Sequence, residues 1–170
     1  HLADCLAVIP SLRNTFASAS PIKVLDVGSG AGLPGIVLAM LQPSWQVDCV
    51  DAVGKKAAFI RQAAGQLNLT NLRSIHSRVE EMEAAEQLSD SGYDLIISRA
   101  FSSLHAFIEC SRPLLKAAGI WLAMKGKVPQ DELAALPADV VVLAIEQINV
   151  PNLNANRCLI KLSHIDSRRE

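Results

Sequence analysis

The sequence predicts a doubly wound α/β domain with a mostly parallel sheet, and three observations carry that reading. Short β-rich runs alternate with helix-length amphipathic segments along the chain. Aromatic residues make up only 4% although 50% of residues are hydrophobic, so the core must be built from Ala, Val, Ile and Leu, which suits buried parallel strands covered by helices. The last two β-rich stretches are joined by a connection too short for a right-handed helical crossover, so the final strand should run antiparallel to the rest.

The elements follow in order. Leu2 to Ile9 has the pattern of an amphipathic helix, and Ser18-Ala19-Ser20-Pro21 reads as a loop. Ile22 to Val27 is a buried strand ended by glycines. Leu33 to Leu41 is an apolar helix with Pro34 in its first turn, stopped by Gln42-Pro43. Gln46 to Asp51 is the second strand. Val53, Ala57, Ile60, Ala64 and Leu67 then step at helical spacing with Lys55, Lys56, Arg61 and Gln62 facing out, which predicts a helix to about Asn68. Leu72 to His76 is a third strand, Val79 to Ala85 a short helix, and Tyr93 to Ser98 a fourth strand entered through Ser89-Asp90-Ser91-Gly92. Leu104 to Leu115 is helical, with Pro113 kinking its last turn, and Gly119 to Met124 is a fifth strand. Val140 to Ile148 and Arg157 to Leu162 form the closing hairpin around Pro151-Asn152-Leu153-Asn154.

At 170 residues, one core accounts for the chain, and residues 1–170 are expected to be a single domain. The chain opens at His1 inside a helical pattern, so residues 1–20 are expected to be the end of a longer helical segment. Cys5, Cys49, Cys110 and Cys158 lie far apart without zinc-like or disulfide-like spacing, which points to a reducing, cytoplasmic setting and to no metal. No apolar run approaches the ~18 residues of a membrane span, and the first residues lack the basic-then-apolar profile of a signal peptide. Sixteen Lys and Arg against 17 Asp and Glu give a net charge of −1, and the pI is near 6.5. Taken alone, that balance argues against a nucleic-acid partner.

The most informative stretch is Asp26-Val27-Gly28-Ser29-Gly30-Ala31-Gly32-Leu33-Pro34-Gly35. Glycines let the backbone turn tightly and approach a ligand, and the helix that follows offers free N–H groups. Asp51 ends the second strand about 20 residues later, where a carboxylate accepts from a ribose hydroxyl pair, although it is also placed to cap the next helix. A dinucleotide fingerprint needs Gly or Ala where Leu33 stands, and Asp26 would repel a pyrophosphate. A positively charged sulfonium cofactor suits Asp26 better. The pattern therefore favours S-adenosylmethionine, and methyl transfer is the leading class.

The loop after the fourth strand reads Ser98-Arg99-Ala100-Phe101, without the Asn/Asp-Pro-Pro-aromatic signature of exocyclic-amine methylation or a Pro-Cys pair. A ring nitrogen such as guanine N7 needs neither, because it presents a lone pair and requires only alignment. Arg99 would then serve the cofactor, guanine O6 or a phosphate, and Lys125 and Lys127 share its edge of the sheet.

Gly28 to Gly35, Asp51-Ala52-Val53-Gly54-Lys55-Lys56, Ser77-Arg78-Val79-Glu80-Glu81, Ile97-Ser98-Arg99-Ala100-Phe101 and Lys125-Gly126 together resemble the bacterial 16S ribosomal RNA guanine-N7 methyltransferases, also called the glucose-inhibited division protein B family. The resemblance runs from His1 to about Leu162. It implies a Rossmann-like class I methyltransferase fold and a cytoplasmic, monomeric enzyme that methylates guanine N7 in the decoding-region loop of 16S RNA with S-adenosylmethionine as donor. It further implies that Gly28, Leu33, Asp51, Val79, Glu80 and Arg99 hold the cofactor, beside Asp26 and Gly30 of the glycine loop. Arg99 and Lys125 would be catalytic, and Arg78, Lys125 and Lys127 would meet RNA. Two readings of other classes stand beside it: a non-catalytic S-adenosylmethionine-binding module on the ribosome, and an NAD-dependent oxidoreductase.

Overall fold

The structure, a computed structural model, describes residues 2–16, 21–82, 92–99, 101–150 and 156–165. The elements are α1 (Leu2–Phe16), β1 (Lys23–Val27), α2 (Gly35–Leu41), β2 (Gln46–Asp51), α3 (Gly54–Gln66), β3 (Leu72–His76), β4 (Tyr93–Ser98), α4 (Leu104–Ser111), β5 (Leu115–Lys125), α5 (Gln130–Ala134), β6 (Val140–Asn149) and β7 (Asn156–His164). The seven strands form one sheet in the order β3-β2-β1-β4-β5-β7-β6. Strands β1 to β5 pair in parallel, while β7 is antiparallel to both β5 and β6. The expected reversal of the last strand is therefore present.

Alternation along the strands divides the interior into two layers. Val24 of β1, Leu95 and Ile97 of β4, and Ile120, Leu122 and Met124 of β5 join one core with residues of α1, α2 and α3. Leu25 and Val27, Ile96, and Trp121 and Ala123 join the other, with Leu104, Phe107 and Ile108 of α4. Trp121 places its indole N–H on Ser111 Oγ at 3.1 Å, so the largest buried ring leaves no orphan donor.

Several boundaries move. The helix expected over Leu104 to Leu115 stops at Ser111, and a 3₁₀ turn covers Arg112–Leu114, because Pro113 lacks the N–H that would continue the ladder. Strand β5 begins at Leu115 rather than Gly119, through the pairing of Leu115 with Tyr93. The short helix expected after β3 opens as a 3₁₀ turn over Val79–Glu81 that leads into helical Met82, while residues 83–91 lie outside the described residues, as does Pro151-Asn152-Leu153-Asn154. Helix α5 was not expected. Strand β6, at the sheet edge, carries a bulge between Val142 and Ala144, which interrupts its pairing row.

Helix α2 packs so closely on the sheet that Gly35 has no room for a side chain: a Cβ there would strike Cys49 Sγ and lie 2.9 Å from Asp26 Oδ2. Gly35→Ala should therefore lower stability by about 1–3 kcal/mol in denaturant titrations. Adding Cys49→Ala should recover part of that loss, so the double variant is less destabilised than the sum of the two singles.

Candidate functional site

The carboxyl ends of β1 to β5 share one edge, and the order reverses between β1 and β4, the switch point at which open α/β sheets bind ligands. A cavity of about 280 Å³ opens there, walled by Val27 and Gly28 after β1, Asp51 at the end of β2, Arg78, Val79 and Glu80 after β3, and Phe101 after β4. Gly28 has φ +65 and nothing within 4 Å of the place a Cβ would take, so the backbone borders open space. Gly30 at φ +57 and Gly32 at φ +85 continue the left-handed turn that glycine alone adopts without strain.

Two carboxyl groups hold this loop. Asp51 accepts from Gly30 N–H at 3.0 Å through one oxygen and from Val53 N–H at 2.8 Å through the other. It thus ties the glycine loop to the start of α3, and each oxygen keeps a second lone pair for a further donor. Val53, not Asp51, is the N-cap residue of α3, so Asp51 braces the turn into the helix and does not cap it. Asp26 sits deeper, 1% exposed, accepting from Gly35 N–H at 2.8 Å. Burial is the main cause that pushes its pKa from 3.8 to about 7, against the lowering effect of Gly35 N–H and Arg99.

Gly28, Asp51, Arg78, Val79 and Glu80 accordingly meet at the cavity, and Gly30 borders it through its bond to Asp51. Five expected residues stand differently. Asp26 supports the loop from below instead of walling the cavity, because strand alternation turns it with Val24 toward α2. Leu33 is half-buried against the core on that face. Arg99 is not among the residues that wall the cavity; it is electrostatically coupled to Asp26 and Cys5, with Nη1 buried and unpartnered among the described residues. Lys125 spends its ammonium on Glu132 Oε1 at 3.0 Å and the Phe101 carbonyl at 3.3 Å. Lys127 is exposed beyond it.

Phe101 is the wall residue that sequence reasoning left without a role. It packs on Phe107 with ring centroids 5.6 Å apart, and its carbonyl is held by Lys125. Glu132 completes the clasp by also accepting from Leu104 N–H at 2.8 Å, the amide that starts α4. Lys125 and Glu132 therefore fix the path of the loop between β4 and α4. The signal available in the sequence was the aromatic following Ser98-Arg99-Ala100.

The sheet order, the glycine loop and the acidic end of β2 define a Rossmann-like class I methyltransferase scaffold. The chain belongs to the GidB family, rRNA small subunit methyltransferase G, whose family model matches residues 1–160. It is 50% identical over 160 residues to the ribosomal RNA small subunit methyltransferase G of Leptothrix cholodnii, an alignment covering 94% of this chain and 70% of that protein. Among solved structures, an rRNA methylase from Streptococcus thermophilus is similar in fold at TM-score 0.65 and 15% identity, covering 92% of this chain and 96% of that one. A SAM-dependent methyltransferase from Aquifex aeolicus has TM-score 0.66 at 18% identity, covering 90% of this chain and 88% of that one.

Two measurements check the geometry. Asp26 in the folded chain holds a proton that the unfolded chain releases above its ordinary 3.8, so its contribution to stability is complete below that pH and is lost as pH rises toward about 7. Asp26→Asn keeps an acceptor for Gly35 N–H and removes the titration. Relative to the parent it should gain stability from pH 4 to pH 8, by up to a few kcal/mol, in denaturant titrations at each pH. For the clasp, a double-mutant cycle of Lys125→Met and Glu132→Ala should return a coupling of about 1 kcal/mol, since the pair is part-buried. Additive effects would mean the two do not act as a unit.

Proposed function

We propose that this chain transfers a methyl group from S-adenosylmethionine to N7 of a guanine in the decoding-region loop of 16S ribosomal RNA. The observation that carries the reading is the cavity at the switch point, with an open glycine backbone on one side and a loop-anchored carboxylate on the other, in a chain of the rRNA small subunit methyltransferase G family.

The residues present fit the cofactor. Gly28 leaves space that any side chain would fill, and the free lone pairs of Asp51 suit two hydroxyl donors. Val79 gives a buried apolar surface for an adenine ring, with Glu80 beside it as an acceptor for its amino group. The unpartnered Nη1 of Arg99 requires an acceptor, which the carboxylate of the cofactor or guanine O6 would provide. Asp26 and Leu33 serve by shaping the loop and its helix. When bound, S-adenosylmethionine supplies a methyl group activated by its sulfonium.

The protein's task is then positional. Guanine N7 carries an in-plane lone pair and no proton, so no side chain has to act as a base; the site must align the ring and exclude water. Phe101 offers an apolar wall for that purpose, and Lys125 acts through the Phe101 loop as a positioning residue. Arg78 at the cavity and Lys127 just past the end of β5 are exposed cations available for phosphate. A cytoplasmic monomer acting on ribosomal RNA completes the proposal.

Labelled methyl transfer to 16S RNA from a strain lacking the modification tests it. The digest should contain 7-methylguanosine, and label in any other nucleoside, or none, would sink the reading. Asp51→Ala should raise KM for S-adenosylmethionine about tenfold or more, as expected for losing a charge-assisted hydrogen-bond pair, with a smaller effect on KM for RNA.

A further inference from the structure

A second hollow of about 280 Å³ lies on the α3 side of the glycine loop, lined by Gly30, Ala31, Lys55, Lys56 and Phe59. Its composition is unusual in two independent ways. Phe59 is 52% exposed, on a helix whose other large apolar residue, Ile60, is fully buried. Of the other aromatic rings, Trp45, Tyr93, Phe107 and Trp121 are buried and Phe16 and Phe101 half-buried, so Phe59 is the most exposed ring of the chain, and it lies beside the glycine loop.

The lysines are placed against the local field. Lys55 and Lys56 occupy the first turn of α3, which contains no acidic residue, although free N–H groups there disfavour cations. Both are exposed and make no ion pair among the described residues. Helix spacing puts Phe59 three and four residues beyond them, on the same flank. Two phosphate-binding cations around one exposed ring form the combination that meets an unpaired nucleotide: the base stacks on the ring and the lysines take the backbone.

We infer that Lys55, Lys56 and Phe59 form an RNA-docking surface for an unstacked nucleotide flanking the methylated guanine. The inference rests on the proposed function and extends it to residues outside the cavity. Continuity supports it, because Gly30 lines this hollow while its N–H is held by Asp51, a wall of the cofactor cavity. A bound strand reaching the methyl-transfer site would thus have a second contact one loop away. An apolar protein partner fits less well, since the ring is bracketed by unpaired positive charge.

The test uses the full chain and protein-free 16S RNA lacking the modification. Phe59→Ala should weaken RNA binding about tenfold, and Phe59→Trp should restore it, as base stacking on an aromatic predicts. Lys55→Ala with Lys56→Ala should reduce the slope of log affinity against log salt by about 1.4, the value for two phosphate contacts on single-stranded RNA. Calorimetry with S-adenosylhomocysteine should give parent-like affinity for all three variants. Unchanged RNA affinity and salt slope would overturn the inference. Loss of binding to the assembled subunit but not to protein-free RNA would overturn it in favour of a protein contact. A parent chain that neither binds nor methylates RNA would instead bring down the proposed function, and this surface with it.

Discussion

The hydrogen bond from Gly35 N–H to the buried carboxyl of Asp26 is the constraint on which the rest of the site depends. It fixes where the glycine loop ends and α2 begins, and α2, with only seven residues, is too short to persist without tertiary anchors. The other end of α2 is tied by Asn71, whose side-chain amide donates to Ala39, Gln42 and Trp45 carbonyls at 3.0, 3.3 and 2.9 Å. With both ends held, the loop from Gly28 to Gly32 has little freedom left. Burying the carboxyl costs stability at neutral pH, and the fold bears that cost to keep an open backbone at the switch point.

Asp51 then does at the second strand what Asp26 does at the first. Its position at the end of β2, one strand over, lets it bond Gly30 across the crevice and Val53 along its own chain. The consequence is a rigid unit of β1, β2, loop and α3, on which the cavity is built. The opposite wall is held by different means: Lys125 and Glu132 clasp the Phe101 loop, and Ser98 Oγ donates to the Val27 carbonyl at 3.2 Å across the β1–β4 seam. The two walls therefore have separate supports.

How much of this could be read from residues alone follows from which forces are local. Strands β2, β3 and β4 have the boundaries expected, because each is a short run of five or six residues set between a turn or loop and the next helical pattern. The start of β5 was not legible, because pairing of Leu115 with Tyr93 overrides the small residues that precede Gly119. Helix α5 escaped because five residues carry too little periodicity to register. In the site, Gly28 and Asp51 were legible from the ends of their strands and Val79 and Glu80 only from the family resemblance, whereas alternation along β1 sets Asp26 beneath the loop and not in the cavity wall. Lys125 was assigned by its strand end, and only the return of α5, which carries Glu132, decides where its charge goes.

The net charge of −1 looked like evidence against an RNA partner, and the pattern of pairing removes that force. Cations away from the site are largely neutralised in place: Arg73 with Asp48, Arg112 with Glu109 and Asp139, Lys116 with Asp94, Lys161 with Glu146. The carboxyl groups at the site, Asp26 and Asp51, take their hydrogen bonds from backbone N–H groups. Lys55, Lys56, Arg78 and Lys127 all follow the carboxyl ends of parallel strands, and none of them has an ion pair among the described residues. A whole-chain sum averages these groups with the paired ones, but a polyanion responds to the field within about 10 Å of its phosphates. Four unpaired cations on one edge are therefore compatible with RNA even when the total is slightly negative, and the small total keeps nonspecific attraction low so that recognition falls to shape and to the bases themselves.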